Sequence, residues 1–179
     1  MEALRRLEST ALAVPRANVD TDQIVPARFL KRPRGEDFGE VLFHDQRALL
    51  GAAVRGETRI VVAGRNFACG SSREHAVWAL ADYGFRAAIA PSFGDIFFSN
   101  SLKNGFLPIV LPPDVVESLL RDAEAGKRLV VDLERQTAAG HHFDIAPFAR
   151  HCLLEGLDEI AYTLGQLPQI ESFERNYAS

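Results

Sequence analysis

The sequence predicts an α/β fold: a single layered domain with a mixed sheet and a C-terminal helical segment. Three observations carry that expectation. After residue 57, short β-branched runs alternate with amphipathic helical stretches, as in a sheet layered with helices. Two later strand-like segments lie close enough for a hairpin, which adds antiparallel pairing. No internal repeat, low-complexity stretch or credible boundary divides the 179 residues, so residues 1–179 read as one domain.

In chain order, "NVDTDQIVPARFL" (residues 18–30) reads as irregular with one short strand, and "DQRALLGAAV" as a candidate helix. "TRIVVAG" is a buried strand ending in Gly64, and "SSREHAVWALADYG" a helix closed by Gly84. "FRAAIAP" is a strand stopped by Pro91. "SFGDIFFSNSLKNG" is a helix with Lys103 in its last turn and Gly105 just beyond. In "FLPIVLP", Pro108 implies an edge strand or a bulge. "PDVVESLLRDAEAG" is a helix opened by Pro113 and ended before Gly126. "KRLVVDLERQ" and "HHFDIAPF" form a hairpin around "TAAG", and His141 and His142 are ordinary hairpin residues. Residues 149–176 are short helices broken at Gly156, Gly165 and Pro168.

Composition narrows the function. At 47% hydrophobic and 25% charged the chain matches globular averages, and a net charge of −4 argues against a nucleic-acid partner. The basic run "RFLKRPR" is short, broken by Pro33 and read as a solvated loop. Cys69 and Cys152 cannot form a disulfide framework or a Cys-rich metal site. The N-terminal stretch lacks the apolar core of a signal peptide, and no run approaches the roughly 18–20 apolar residues that span a bilayer. A soluble, cytoplasmic protein with no membrane partner is expected.

The stretch "GRNFACGSSREHAVWAL" (residues 64–80) carries the chemistry. Ser71 and Glu74 have the S-x-x-E spacing of a capping box, the purely structural reading. Against it, a helix N-terminus following a buried strand is a natural anion seat, and Arg73 there opposes the dipole preference. A guanidinium with two neighbouring hydroxyls can grip a carboxylate through parallel hydrogen bonds. The stretch lacks the glycine spacing of a dinucleotide loop and the G-K-[ST] of a phosphate loop. His75, four residues from Ser71 on the same helix, cannot complete a hydrolase triad with it.

With "NVDTDQIVPARFLK" (18–31), "DYGFRAAIAPSFGDIFFSNSLKNGFLPI" (82–109) and "LLEGLDEIAYTL" (153–164), this stretch resembles the small subunits of 3-isopropylmalate dehydratase, in the aconitase superfamily. The pairing of D-T-D-Q-I with G-S-S-R-E-H about fifty residues later is the specific signal. The resemblance implies a swivelling β/β/α domain and half an enzyme. It implies a large-subunit partner carrying a [4Fe-4S] cluster, with no cofactor bound by this chain. The implied reaction dehydrates 2-isopropylmalate to 2-isopropylmaleate and rehydrates it to 3-isopropylmalate, in leucine biosynthesis. By the same resemblance Ser71 is the general base, Ser72 and Arg73 bind the carboxylates of a di- or tricarboxylic hydroxy acid, and Asp22 is an active-site aspartate orienting an arginine or histidine. Glu74 and His75 are supports. The loop of residues 27–43 would contact the variable substituent and supply Arg34 as a substrate ligand. Here it reads "LKRPRGEDF" where L-K-R-x-x-R-x-G-F is expected, leaving homoaconitate, citraconate or dimethylmaleate hydration as alternatives. A non-catalytic carboxylate-binding module is the reading from another class.

Overall fold

The structure, a computed structural model, describes residues 1–71 and 73–177. Its organising element is β1 (Arg6–Val14), in a stretch to which the sequence reading assigned no element. Leu7 and Ala11 point to one core, Leu12 and Val14 to the other, so the strand is apolar on both faces toward its end. Its first half pairs antiparallel with β5 (Arg128–Asp132) and its second half parallel with β2 (Ile60–Ala63). One strand thus joins a parallel half-sheet to an antiparallel one.

Beyond β2 come β3 (Ala87–Ala90) and β4 (Leu107–Val110), all parallel; with β6 (Thr137–Ala138) and β7 (His141–His142), the sheet order among the described residues is β4-β3-β2-β1-β5-β6-β7. β4 is an edge strand, as Pro108 requires, because a residue without an N–H cannot bridge two neighbours. The helices α2 (Glu74–Tyr83) and α3 (Asp95–Lys103) connect strands that step across the sheet in one direction, so both cover one face. There Val61, Ala63, Ala88 and Ala90 meet Ala76, Val77, Leu80 and a set of phenylalanines that includes Phe38, Phe67 and Phe97. α4 (Pro113–Glu124) covers the other face, where Val116, Leu119 and Ala123 pack with Ile60, Val62 and Ile89. Fully buried strand residues on both faces fit the unbroken apolar runs seen in sequence.

The later chain differs in detail from its pattern. "TAAG" is not simply a turn: Thr137–Ala138 is β6, paired with β5 and with β7 (His141–His142) in a three-strand meander. The turn is the pair Ala139 and Gly140, both at positive φ, which suits the twist of a two-residue hairpin. α5 (Pro147–Glu155) ends at Gly156, in the left-handed conformation. α6 (Glu159–Gly165) follows, capped by Asp158. In α7 (Leu167–Tyr177), Pro168 sits in the first turn and starts the helix rather than breaking it. The expected helix at residues 45–54 is instead a kinked 3₁₀ segment, His44–Leu50. The expected short strand in residues 18–30 is replaced by a one-turn helix, α1 (Thr21–Ile24). Among the described residues no helix is long and apolar enough to cross a membrane.

Candidate active site

The site lies beyond the carboxyl ends of the parallel strands, where open α/β sheets place their ligands. Loops leaving β1, β2 and β3 are knitted together there. Asn66 N–H donates to Ser92 Oγ at 2.9 Å, and Phe67 N–H to the Ser92 carbonyl at 3.0 Å. Gly94 N–H returns a bond to the Phe67 carbonyl at 3.0 Å, and Asn66 Nδ2 reaches Asn18 Oδ1 at 2.9 Å. The β2 loop alternates into positive φ at Asn66, Ala68 and Gly70 (58°, 55° and 95°). For Ala68 this costs on the order of 1–2 kcal/mol, a strain that persists only where packing over-determines the loop. Phe67, fully buried edge-on to Phe93 and Phe97, supplies that packing. The curve delivers Ser71, exposed, to an open cleft of about 290 Å³ between residues 66–71 and the start of α3.

α1 closes the other side. Asp20 caps it in a complete capping box: Gln23 N–H donates to Asp20 Oδ1 at 2.8 Å, and Asp20 N–H to Gln23 Oε1 at 3.1 Å. The capping role within D-T-D-Q therefore belongs to Asp20, which leaves Asp22 free for another partner. Thr21 N–H donates to the Cys69 carbonyl at 2.9 Å and Thr21 Oγ1 to the Ser71 carbonyl at 3.3 Å. Asp22 accepts a hydrogen bond from Arg73 Nη1 in an ion pair. Two motifs about fifty residues apart are thus fastened at three successive points. Asp22, expected to orient an arginine or a histidine, is placed against Arg73.

Ser71 does not form the capping box its spacing suggests. α2 begins at Glu74, with Arg73 in the cap position and no side-chain cap bond there. The Glu74 carboxylate points away, accepting from Asn104 Nδ2 at 2.7 Å, while Asn104 Oδ1 accepts from Trp78 Nε1 at 3.1 Å. Ser72 lies outside the described residues. The Arg73 side chain is only 18% exposed, while Asp22 is 51% exposed. A guanidinium held on one edge by a carboxylate keeps its other N–H groups for a ligand.

Arg34 is not brought to this cluster. Its Nη1 lies 3.3 Å from Asp82 Oδ2 in the last turn of α2, and its guanidinium carbon stacks over the Trp78 ring at 4.8 Å. His75 packs against Phe38 and Trp78 (ring centroids 5.3 and 4.7 Å), and burial pushes its pKa down. His141 and His142 are exposed on the meander. Among the described residues no group of three or more His, Cys, Asp or Glu could hold a metal. Cys69 is half-buried in the cleft loop, whereas Cys152 is buried in α5, where its thiol is pushed up by burial. Thr21, Asn18 and Asn66 were missed as site builders. The D-T-D run was their one signal, since three consecutive polar residues before an apolar stretch need partners.

Fold and site together define a layered α/β domain with a serine, an arginine and its aspartate at the carboxyl edge of the sheet. The aconitase C-terminal domain family matches residues 1–114. A 3-isopropylmalate dehydratase small subunit from Cereibacter sphaeroides is 43% identical, covering 100% of this chain and 98% of that protein. One from Roseobacter denitrificans is 44% identical over 99% and 97%. A crystal structure of 3-isopropylmalate dehydratase from Methanocaldococcus jannaschii superposes with a TM-score of 0.68 at 25% identity, over 94% of this chain and 99% of that one. The chain belongs to the aconitase C-terminal domain family, among the 3-isopropylmalate dehydratase small subunits.

Proposed function

We propose that the chain is the small subunit of a hydro-lyase that interconverts 2-isopropylmalate and 3-isopropylmalate through 2-isopropylmaleate in leucine biosynthesis, active only with a large subunit. The observation that carries this reading is the Asp22–Arg73 pair, two residues along the chain from Ser71, which lines the cleft. Arg73 grips a substrate carboxylate through its remaining N–H groups, and Asp22 fixes the plane of the guanidinium. Ser72, the next hydroxyl in sequence, is assigned to the same carboxylate subsite. Ser71 takes the proton from the carbon beside the carboxylate; the C–H electron pair becomes the double bond as hydroxide leaves. In rehydration the same hydroxyl gives a proton to the carbon that had carried the hydroxyl, while hydroxide adds to the carbon that had lost its proton. The Arg73 cation favours the alkoxide form of Ser71 and the charge that gathers on the carboxylate as the proton departs.

The residues of this chain do not fit an iron–sulfur cluster: its two cysteines sit on separate elements. The cluster is assigned to the large subunit, where it would supply Lewis-acid help to the leaving hydroxyl. Arg34 stands apart from the cluster, paired with Asp82. The loop acids that depart from the family pattern are engaged within the chain, Glu36 with Arg32 at 3.8 Å and Asp37 with Arg55. These pairs, with Arg34–Asp82, occupy the guanidiniums of Arg32, Arg34 and Arg55 that could otherwise hold a third carboxylate, which favours the apolar isopropyl group.

The experiment is reconstitution. The purified chain alone should show no turnover of 2-isopropylmalate, and mixing with its cluster-loaded large subunit should produce it. Turnover by the chain alone would overturn the half-enzyme reading.

A further inference from the structure

The face of α2 not buried against the sheet carries His75, Trp78 and Asp82, spaced three and four residues apart and therefore in line. Along that line lies the segment from Leu30 to Gly39. The Leu30 carbonyl faces the His75 ring. The buried Phe38 ring packs against His75 and Trp78, at 5.3 and 5.7 Å between centroids. Arg34 covers the outer side of Trp78.

The far end is anchored on one residue. The Asp82 carboxylate accepts from Arg34 Nη1 at 3.3 Å and from Phe38 N–H at 3.1 Å. Its backbone carbonyl accepts from Arg55 Nη2 at 3.1 Å, and the same guanidinium pairs with Asp37. Gly39 lets the segment press onto the helix there: a Cβ would stand 2.7 Å from Tyr83 N and 2.8 Å from the Asp82 carbonyl carbon.

We propose that Asp82 is a positioning residue of the site: by holding Arg34 and Phe38 together it lays residues 30–39 along α2 as a strap whose Leu30 end meets His75, two residues along the chain from Arg73. Arg34 in this role is a strut that seats the strap on Trp78. The pair is poorly placed to be mainly a stability feature. Arg34 is 51% exposed, and ion pairs so exposed stabilise little. What the contacts fix is where the strap lies relative to the carboxylate cluster. The proposal rests on the reading that Ser71 and Arg73 handle the substrate, but its structural half can be tested without it.

Trp78 is the single tryptophan of the chain, so its fluorescence reports directly on the strut. In the isolated chain, Asp82→Asn should leave the far-ultraviolet circular dichroism unchanged and move Trp78 emission to that of Arg34→Ala. Asp82→Glu should stay near wild type, and the double variant should match either single one, because the two residues act as a unit. Should Asp82→Asn not fold, Arg34→Gln, which breaks the pair from its exposed side, must give the same emission shift. Unchanged emission in these variants, or additive effects in the double variant, would overturn the clamp. In the complex with the large subunit, Asp82→Asn should raise KM for 2-isopropylmalate about tenfold with kcat nearly constant, the signature of lost uniform binding. An unchanged KM alongside the emission shift would overturn the role in the site. An inactive wild-type complex would count against the proposed function alone, and the emission experiment would still decide the clamp.

Discussion

Asp22 and Arg73 are fifty-one residues apart in sequence, and their ion pair ties α1 to the cap position of α2. Two substitutions read its purpose. Arg73→Lys keeps the charge but loses the planar fork. Hydrogen bonds to charged groups contribute about 1.5–3 kcal/mol, so kcat/KM should fall roughly 10- to 150-fold with the fold intact. Wild-type kinetics in that variant would remove Arg73 from the carboxylate grip. Asp22→Asn keeps the shape but not the charge, and a guanidinium misplaced by about 1 Å should cost on the order of 10² in kcat/KM. His75 supplies a test of a different kind. Burial against Phe38 and Trp78 holds its pKa below 6.5; the neighbouring Arg73 pushes the same way, and Glu74 and the Leu30 carbonyl oppose. The unfolded chain therefore binds this proton more readily than the folded one. The stability contribution is complete above about pH 6.5 and is lost as pH falls through the depressed folded value. Urea unfolding should show stability declining from pH 7 toward 5, and His75→Phe should flatten that decline. An identical slope in the variant would assign the pH dependence elsewhere.

At the scale of elements, the site depends on loops that fit closely rather than on a deep pocket. Gly94 precedes α3 directly beneath the β2 loop, and a Cβ there would lie 2.6 Å from the Ala68 carbonyl oxygen. Gly94→Ala should destabilise by about 1–3 kcal/mol through overpacking and lower turnover as well, because the displaced segment carries Ser71. Chemical denaturation and turnover of the reconstituted complex check the two halves. Stability at the wild-type level would mean the loop can yield. Elements after residue 58 were legible because periods of two and 3.6 alternate cleanly there and Gly or Pro punctuates them. β1 was not, because "RLESTALAV" mixes small and polar residues and its inward face changes near Ala11 and Leu12, where its partner passes from β5 to β2. The S-x-x-E spacing at Ser71 does not produce a capping box, for a related reason. The capping box is local and legible, but the actual start of α2 is set by the bonds that draw residues 69–71 toward α1. A true box stood at Asp20 and Gln23, in a stretch that read as irregular.

For the whole molecule, the consequence of the strand order is one-sided access. β1 holds the two half-sheets together, helices close both faces of the parallel half, and Ser71 is left at the carboxyl edge in an open cleft. Such a cleft does not exclude water, and a serine base needs a dry, cationic setting. A base at Ser71, as proposed, would therefore need another surface to cover the cleft. Ser71 and Arg73 stood out as candidates because hydroxyls beside a guanidinium before a helix have few structural uses. Arg34 was placed with them by its motif, and its partners Trp78 and Asp82 could not be read from spacing, since they come from the middle and the last turn of α2. The central claim is that Ser71 is a base and not a cap, and a single comparison tests it: turnover per assembled complex for Ser71→Ala against wild type, with thermal stability measured on the same samples. A true cap would cost about 0.5–2 kcal/mol on substitution by alanine. The account predicts stability within a few tenths of a kcal/mol of wild type, since α2 is not capped by Ser71, together with a fall in turnover of roughly 10²–10⁴. Near-normal turnover in a folded Ser71→Ala complex would contradict it.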